Sequence, residues 1–428
     1  MKFTISMLAL ALACLQCASP TQEKNDVLVI KGATLIDGTG APATSNTTIV
    51  IQDGTIQSIG DSNSLEIPDG AAVVDASGKF VMPGLINAHG HIGGTNGLAA
   101  EYSAENVIRD LRLSAVYGIT TVFSLGGDEL PSVSIRDKQD TVALDRSRLY
   151  LAGDVVMGNT PEEARLAVDK NAANNVDVIK IRVDDNLGTT EKMSPEVYAA
   201  VIDQAKKHNL PVAAHIFYLE DAKALVKLGV RMIAHSVRDK EVDDEFVQLM
   251  IVNKVYYCPT LMREVSTFVY ESTPTFFDDP FFLKEADTTV LSQLKQADRQ
   301  QRIKESKSAQ AYKEALRIAK LNLKTLADQG VLIAMGTDTG PPARFQGYFE
   351  HLELEQMADA GLSANDILKA STKTAAEAIG HSELGTLKAG NKADFLILNQ
   401  NPLEDVKNAR GIESVWIGGH QVDQNSIR

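Results

Sequence analysis

Apolar and polar positions alternate along this chain in two textures. At residues 27–36 (Val-Leu-Val-Ile-Lys-Gly-Ala-Thr-Leu-Ile) and 47–59 the pattern is that of short strands separated by Gly, Pro and Asn turns. Asp53-Gly54, between Ile49-Val50-Ile51 and Ile56, is a hairpin signal. The far C-terminus returns to this texture at 393–398 and 415–419, so both chain ends read as β-rich and able to share one small sheet domain. Between about 80 and 380, short apolar strands alternate with amphipathic helices such as 195–208 and 219–228. The strand candidates are 84–88, 120–123, 148–151, 176–183, 212–215, 232–235, 255–258 and 331–335. Such strand–helix repeats predict an α/β fold, a (β/α)8 barrel of the TIM type. A doubly wound sheet is the alternative, but no Gly-rich dinucleotide fingerprint follows the first strand. Residues 262–320 interrupt the pattern before the last strand. They carry a turn (Glu271-Ser272-Thr273-Pro274), four phenylalanines (Phe276, Phe277, Phe281, Phe282) and the start of one long charged helix, expected at about 285–327. An insertion there lies on the catalytic face of such a barrel and could serve as a lid; a helix packed on the exterior is the plainer reading.

Composition narrows the function classes. The chain has 428 residues, enough for one large barrel with a smaller companion, and 44% hydrophobic with 23% charged residues excludes wholesale disorder. A net charge of -14 argues against nucleic acid and anionic membrane as partners. Lys2 followed by the apolar stretch 5–15 and then small and polar residues reads as a signal peptide over 1–19. Leu10-Ala11-Leu12-Ala13-Cys14 resembles a bacterial lipobox, with Cys17 as a second candidate and plain cleavage as the alternative. The expectation is an exported protein of the periplasm or cell envelope, whose one route to the membrane is a lipid anchor at Cys14 or Cys17. The remaining cysteine, Cys258, lies in an apolar run and reads as a buried thiol, so no disulfide framework is expected. The expected division is 25–82 and 386–428 as the two parts of a β-sandwich, with 83–385 as the barrel.

The chemistry sits at the ends of the predicted strands. Of eight histidines, His89, His91, His215 and His235 stand at or just past a strand's C-terminal end, which in a barrel converge on one mouth. His208, His351, His381 and His420 stand on helices or turns. The spacing of His89-Gly90-His91 puts both imidazoles on one face of a strand, where a shared metal is the natural reason for them. Asp338 follows the last strand in Met335-Gly336-Thr337-Asp338-Thr339-Gly340, where a carboxylate can bind metal and accept a proton; a helix N-cap is the plainer role. Alternation in Val178-Ile179-Lys180-Ile181-Arg182 turns Lys180 into the barrel if the isoleucines face the helices. There it would form a carbamate with CO2 that binds two cations, or pair with Asp338, or bind substrate. Arg182, Arg238, Arg344 and Tyr218 are the candidates for holding a substrate carboxylate.

Asp37-Gly38-Thr39-Gly40 and the run 81–91 (Val-Met-Pro-Gly-Leu-Ile-Asn-Ala-His-Gly-His) resemble the N-terminal signature of the amidohydrolase superfamily, in its imidazolonepropionase-like and prolidase-like branch. The run 384–395 and Asn401-Pro402-Leu403 resemble its C-terminal signature. The resemblance implies a barrel beside a β-sandwich, and a site for two divalent metal ions, usually zinc. It places His89, His91 and Asp338 on the more buried metal, His215 and His235 on the second, and a carboxylated Lys180 with a hydroxide between them. Imidazolonepropionases use one metal and lack the bridging lysine, so Lys180 favours the dipeptidase-like form. The expected function is hydrolysis of C–N bonds in small molecules such as dipeptides or N-acyl amino acids. A cyclic amide, carbamate or ester hydrolase is the alternative, and a non-catalytic envelope binding protein the third reading. The partner is a carboxylate-bearing small molecule, and a homo-oligomer is compatible with all three.

Overall fold

The computed structural model describes residues 27–141 and 143–425. The expected signal segment 1–19, with Cys14 and Cys17, lies outside the described residues. Strand β1 (Val27–Leu35) buries Val29, Ile30, Ala33 and Leu35. It pairs antiparallel with β2 (Thr44–Gln52), which returns as β3 (Thr55–Asp61). Between β2 and β3, Asp53 and Gly54 have φ of 50° and 70°, the pair of positive values that a tight hairpin turn demands. Two further strands run parallel to β1 on its other edge. β4 (Ala72–Asp75) takes the first half of β1 and β5 (Phe80–Pro83) takes its end, so the sheet forks there.

The central segment opens with β6 (Leu85–Gly90) and a two-residue hairpin, β7 (Thr95–Asn96) with β8 (Ala99–Ala100). β9 (Ile119–Ser124) and β10 (Arg148–Leu151) join β6 in a parallel ladder of order β10-β9-β6. A second parallel ladder holds β11 (Ile179–Val183), β12 (Val212–Ile216), β13 (Met232–Ala234), β14 (Tyr256–Cys258) and β15 (Leu332–Ile333) in chain order. The ladders meet at two seams. At one, Val156 N donates to Lys180 O at 2.7 Å; at the other, Ala88 N donates to Met335 O at 2.9 Å and His91 N to Thr339 O at 2.7 Å. This is an α/β, TIM-barrel-like arrangement in which regular pairing is interrupted at the seams.

Alternation along these strands separates an inside from an outside. Ile179, Ile181 and Val183 of β11 pack in the cluster that includes Val197 and Val201 of the helix Pro195–Lys207. Val178 packs instead with Phe123, Ala213, Met232 and Ala234 in the inner cluster. Lys180 therefore points inward, where it is buried. The helices between the strands begin and end on recognisable residues. Ser194 caps Pro195–Lys207 by accepting from Val197 N, with Pro195 in the first turn, and Gly229 at φ 91° stops Leu219–Leu228.

Two expectations change. The last barrel strand was expected over 331–335, but its regular register with β14 covers Leu332 and Ile333, with one more bond from Ala334 N to Tyr257 O at 2.9 Å; the chain then swings across to β6. The helix expected at about 285–327 is three helices, Thr288–Leu294, Ala297–Glu305 and Lys307–Asp328. Ser306 ends one and caps the next, its hydroxyl accepting from Ala309 N. The phenylalanines before it form packing rather than a free flap: Phe277 and Phe282 are buried against Tyr117, Tyr348 and Phe349. After the barrel, β16 (Phe395–Leu398) pairs with β5, and β17 (Ile412–Ile417) and β18 (His420–Gln421) follow it. Both chain ends thus contribute to one eight-stranded sheet. It is fastened to the barrel by Arg148 at the start of β10, whose Nε lies 2.6 Å from Asp394 Oδ2.

Candidate metal centre

Four imidazoles form a continuous row inside the mouth. Ring centroids are 5.6 Å apart for His91 and His89, 4.5 Å for His89 and His235, and 4.1 Å for His235 and His215. Asp338 closes one end, its Oδ1 lying 2.8 Å from His91 Nε2 and 3.5 Å from His89 Nε2. Lys180 Nζ is 3.3 Å from His89 Nε2. Ligand atoms of His89, His91 and Asp338 all lie within 4.8 Å of one another.

The backbone is bent to achieve this. His235 (φ 70°) and Asp338 (φ 60°) hold left-handed conformations, as does Thr260 (φ 48°) beside them. Such residues cost conformational energy and gather at functional sites. Two glycines let the Asp338 loop close on the histidine strand. A Cβ at Gly336 would come within 2.8 Å of His89 Cβ, and one at Gly340 would lie 2.0 Å from His91 O.

Three of the four rings have one nitrogen engaged from outside and the other left toward the row. His91 Nδ1 lies 2.8 Å from Gly126 O, His235 Nδ1 lies 2.7 Å from Thr260 Oγ1, and His215 Nε2 lies 2.7 Å from Asp184 Oδ2. A metal-ligating histidine is typically oriented in this way through its other nitrogen. Burial holds His89 and His235 well below the usual imidazole value and brings His215 down to about 3, so these rings are neutral donors. Burial alone would raise Asp338, but Arg344 and His91 outweigh it and keep the carboxylate ionised. Burial lowers Lys180 to about 8. Neutral imidazoles, a carboxylate and a weakly basic amine together suit divalent zinc-like cations.

A model of the amidohydrolase family matches residues 80–422. The chain belongs to the amidohydrolase family. This amidohydrolase is a hydrolase of carbon–nitrogen bonds. It is 26% identical to the ochratoxinase of Aspergillus niger over 454 residues, 92% of this chain and 86% of that one. It is 29% identical to the enamidase of Eubacterium barkeri over 183 residues, 41% of this chain and 45% of the enamidase. Its fold is similar to that of a Xaa-Pro dipeptidase solved with methionine in the active site, at TM-score 0.75 and 23% identity, over 92% of this chain and 99% of that one.

The substrate residues expected from the amidohydrolase's sequence are placed unevenly. Arg182 lies on the inner face of β11, bonded to Asn186, in the wall of a cavity of about 730 Å³ with Asp184, Lys192 and Met193. Tyr218 donates to Asp185 Oδ1 at 2.8 Å, under the Lys192 ammonium. Arg344 is paired with Asp338 itself, through Nη1. Arg238 is the most enclosed of the four. Its side chain is 0% exposed, its Nε lies 2.9 Å from Glu264 Oε1, and its Nη1 donates to the carbonyls of Ile216 and Ser236. Its Nη2 has no hydrogen-bond partner among the described residues. Asp184 and Thr260 were not singled out by sequence, although Asp184 follows β11 where a strand-end carboxylate is expected to matter. No local pattern marks Thr260, because its role depends on the neighbouring strand.

Proposed function

We propose that this amidohydrolase cleaves amide bonds of small, carboxylate-bearing molecules such as dipeptides or N-acyl amino acids at a two-metal centre. His89, His91 and Asp338 would hold the more buried metal, His215 and His235 the second, with a carboxylated Lys180 contributing to both. The observation that carries the reading is the single row of four imidazoles, three of them oriented through their other nitrogen, closed by Asp338 and abutted by a buried lysine. Divalent cations in that donor set supply a water activated near neutral pH and a polarised carbonyl.

The chain's own residues do the rest. Asp338, ionised and beside His91, accepts a proton from the attacking water and returns it to the leaving nitrogen. Lys180, with its ammonium weakened by burial, has a neutral amine fraction at neutral pH. That amine adds to CO2, forming a carbamate and releasing one proton. Arg182, in the cavity beside β11, is the cation best placed for the substrate carboxylate. The eight strands would act as one ring carrying these groups, with the terminal strands as a companion domain (25–82 and 386–428) and export directed by 1–19.

The test is metal analysis of the mature protein, followed by a screen of dipeptides and N-acyl amino acids against cyclic amides, carbamates and esters. About two zinc equivalents per chain and preferential turnover of the first group are expected. Turnover confined to the second group would overturn the substrate reading, and a protein that binds no metal would overturn the centre. In the active protein, Asp338→Ala should lower kcat by about 10²–10⁴-fold.

A further inference from the structure

Behind the metal centre lies a buried polar knot that the catalytic reading does not use. Asn87, Thr337, Thr339 and Glu350 are each no more than 1% exposed. Glu350, on the helix Tyr348–Asp359, collects three donors on one oxygen. Oε1 accepts from Asn87 Nδ2 at 2.6 Å, from Thr339 Oγ1 at 2.8 Å and from Thr337 Oγ1 at 3.3 Å. Asn87 also donates to Thr337 Oγ1 at 2.9 Å, and Thr337 Oγ1 lies 2.9 Å from Thr339 Oγ1, so the one Thr337 proton is shared between Thr339 and Glu350.

Each partner of Glu350 sits one or two residues from a proposed ligand. Asn87 precedes His89 by two residues, and its Oδ1 accepts from His89 N at 3.0 Å. Thr337 and Thr339 flank Asp338, which is itself in a left-handed conformation. Thr337 N and Asp338 N both donate to His89 O, at 3.1 and 2.7 Å. The knot therefore ties the strand bearing His89 to the loop bearing Asp338, two segments about 250 residues apart in sequence. Glu350 Oε2 has no partner among the described residues, and no ion pair to Glu350 is present among them. An acceptor that satisfies three buried donors and leaves its second oxygen idle is placed for what it holds in position.

The geometry points to Glu350 as a positioning residue of the metal centre, fixing the separation of His89 and Asp338 through Asn87, Thr337 and Thr339. The inference rests on the two-metal reading above. What Glu350 supplies is an acceptor, not a ligand, so the residue that preserves the acceptor preserves the site. Glutamine keeps a carbonyl oxygen where Oε1 stands; leucine has similar bulk and accepts nothing, so the amide and the two hydroxyls lose their common acceptor.

The experiment is a Zn2+ titration of full-length wild-type, Glu350→Gln, Glu350→Leu and Thr339→Val proteins against a chromophoric chelator, with metal-free thermal melts alongside. Glu350→Leu should loosen Zn2+ by about 10–100-fold, and Thr339→Val by a smaller factor. Glu350→Gln should stay within about threefold of wild type. Wild-type affinity in Glu350→Leu overturns the inference while leaving the metal centre standing. So does a Glu350→Gln protein as weak as Glu350→Leu. If Glu350→Leu does not fold, Thr339→Val decides, and unchanged affinity there overturns the inference. A wild type that binds no Zn2+ fails the underlying reading instead, and the inference with it.

Discussion

His215 Nε2 lies 2.7 Å from Asp184 Oδ2, a carboxylate carried just past the end of the adjacent strand. Burial pushes Asp184 upward, but the His215 hydrogen bond and the nearby Arg238 hold it below the usual carboxylate value. The pair fixes the imidazole's tautomer and leaves Nδ1 for the mouth. Asp184→Ala should therefore weaken the second metal by about 10–100-fold and leave the first in place. In a titration of activity against added Zn2+, the variant's curve moves to higher metal and its plateau recovers. An unshifted curve would remove Asp184 from the site.

Lys180 makes a prediction about carbon dioxide. A carbamate forms from the neutral amine, and burial has brought the ammonium down to about 8. Below that pH the amine is mostly protonated and unreactive; above it the neutral form dominates. Reconstitution of metal-free protein should therefore be accelerated by bicarbonate, and at a fixed concentration of dissolved CO2 its rate should climb as pH rises towards about 8 and level off above it. Lys180→Met should bind less metal and lose the bicarbonate effect. Equal rates in bicarbonate-depleted and supplemented buffer would exclude the carbamate.

Why part of this site was readable in sequence, and part was not, follows from the range of each interaction. The inward face of Lys180 is set by alternation within one strand, so Ile179 and Ile181 on the other face announce it. His89 and His91 announce themselves by a spacing of two, and His215 and His235 by standing at apolar strand ends. Thr260 bonds His235 from the next strand, and Glu350 bonds Asn87 from 263 residues away. No periodicity encodes such contacts. The ion pair of Arg238 is hidden for the same reason, because its partner Glu264 lies on a later helix. The breaks at Gln296 and Ser306 leave no mark in the sequence, because neither carries a glycine or proline. There, tertiary packing overrides a helical pattern that is locally continuous.

Glu353 gives a stability signature separable from the metal. It is fully buried, and its carboxylate accepts from Leu261 N and Met262 N, at 2.8 and 2.7 Å. Burial pushes its pKa from 4.5 up to about 8, against those two hydrogen bonds. With the folded pKa above the unfolded one, the native state binds more protons between them. The stabilisation is thus fully present below about 4.5 and is lost as pH rises through about 8. Urea denaturation of metal-free protein should show stability falling across that window, by an amount on the order of a few kcal/mol. Glu353→Gln, which does not titrate, should flatten the fall. A variant with the wild-type slope would assign it to other groups.

Glu264 stands between two buried guanidiniums. Its Oε1 lies 2.9 Å from Arg238 Nε and its Oε2 lies 2.9 Å from Arg263 Nη1. Both the Glu264 and Arg238 side chains are 0% exposed, so water cannot replace a lost partner. Arg238 also stacks on Phe217 at 4.6 Å, and Arg263 on Tyr312 at 4.4 Å, which holds both cations in the wall whatever happens to the anion. Removing the charge of Glu264 leaves two buried cations close together without the carboxylate that contacts both. Breaking a buried pair in this way costs about 3–5 kcal/mol, well above the 0–1 kcal/mol typical of an exposed pair. Glu264→Gln should lower urea-unfolding stability by that amount in metal-free protein, and added salt should not restore it, because screening reaches buried pairs poorly. A loss below about 1 kcal/mol would mean that the wall relaxes to admit water. Arg238 would then be held in place by its carbonyl acceptors and Phe217 rather than by Glu264.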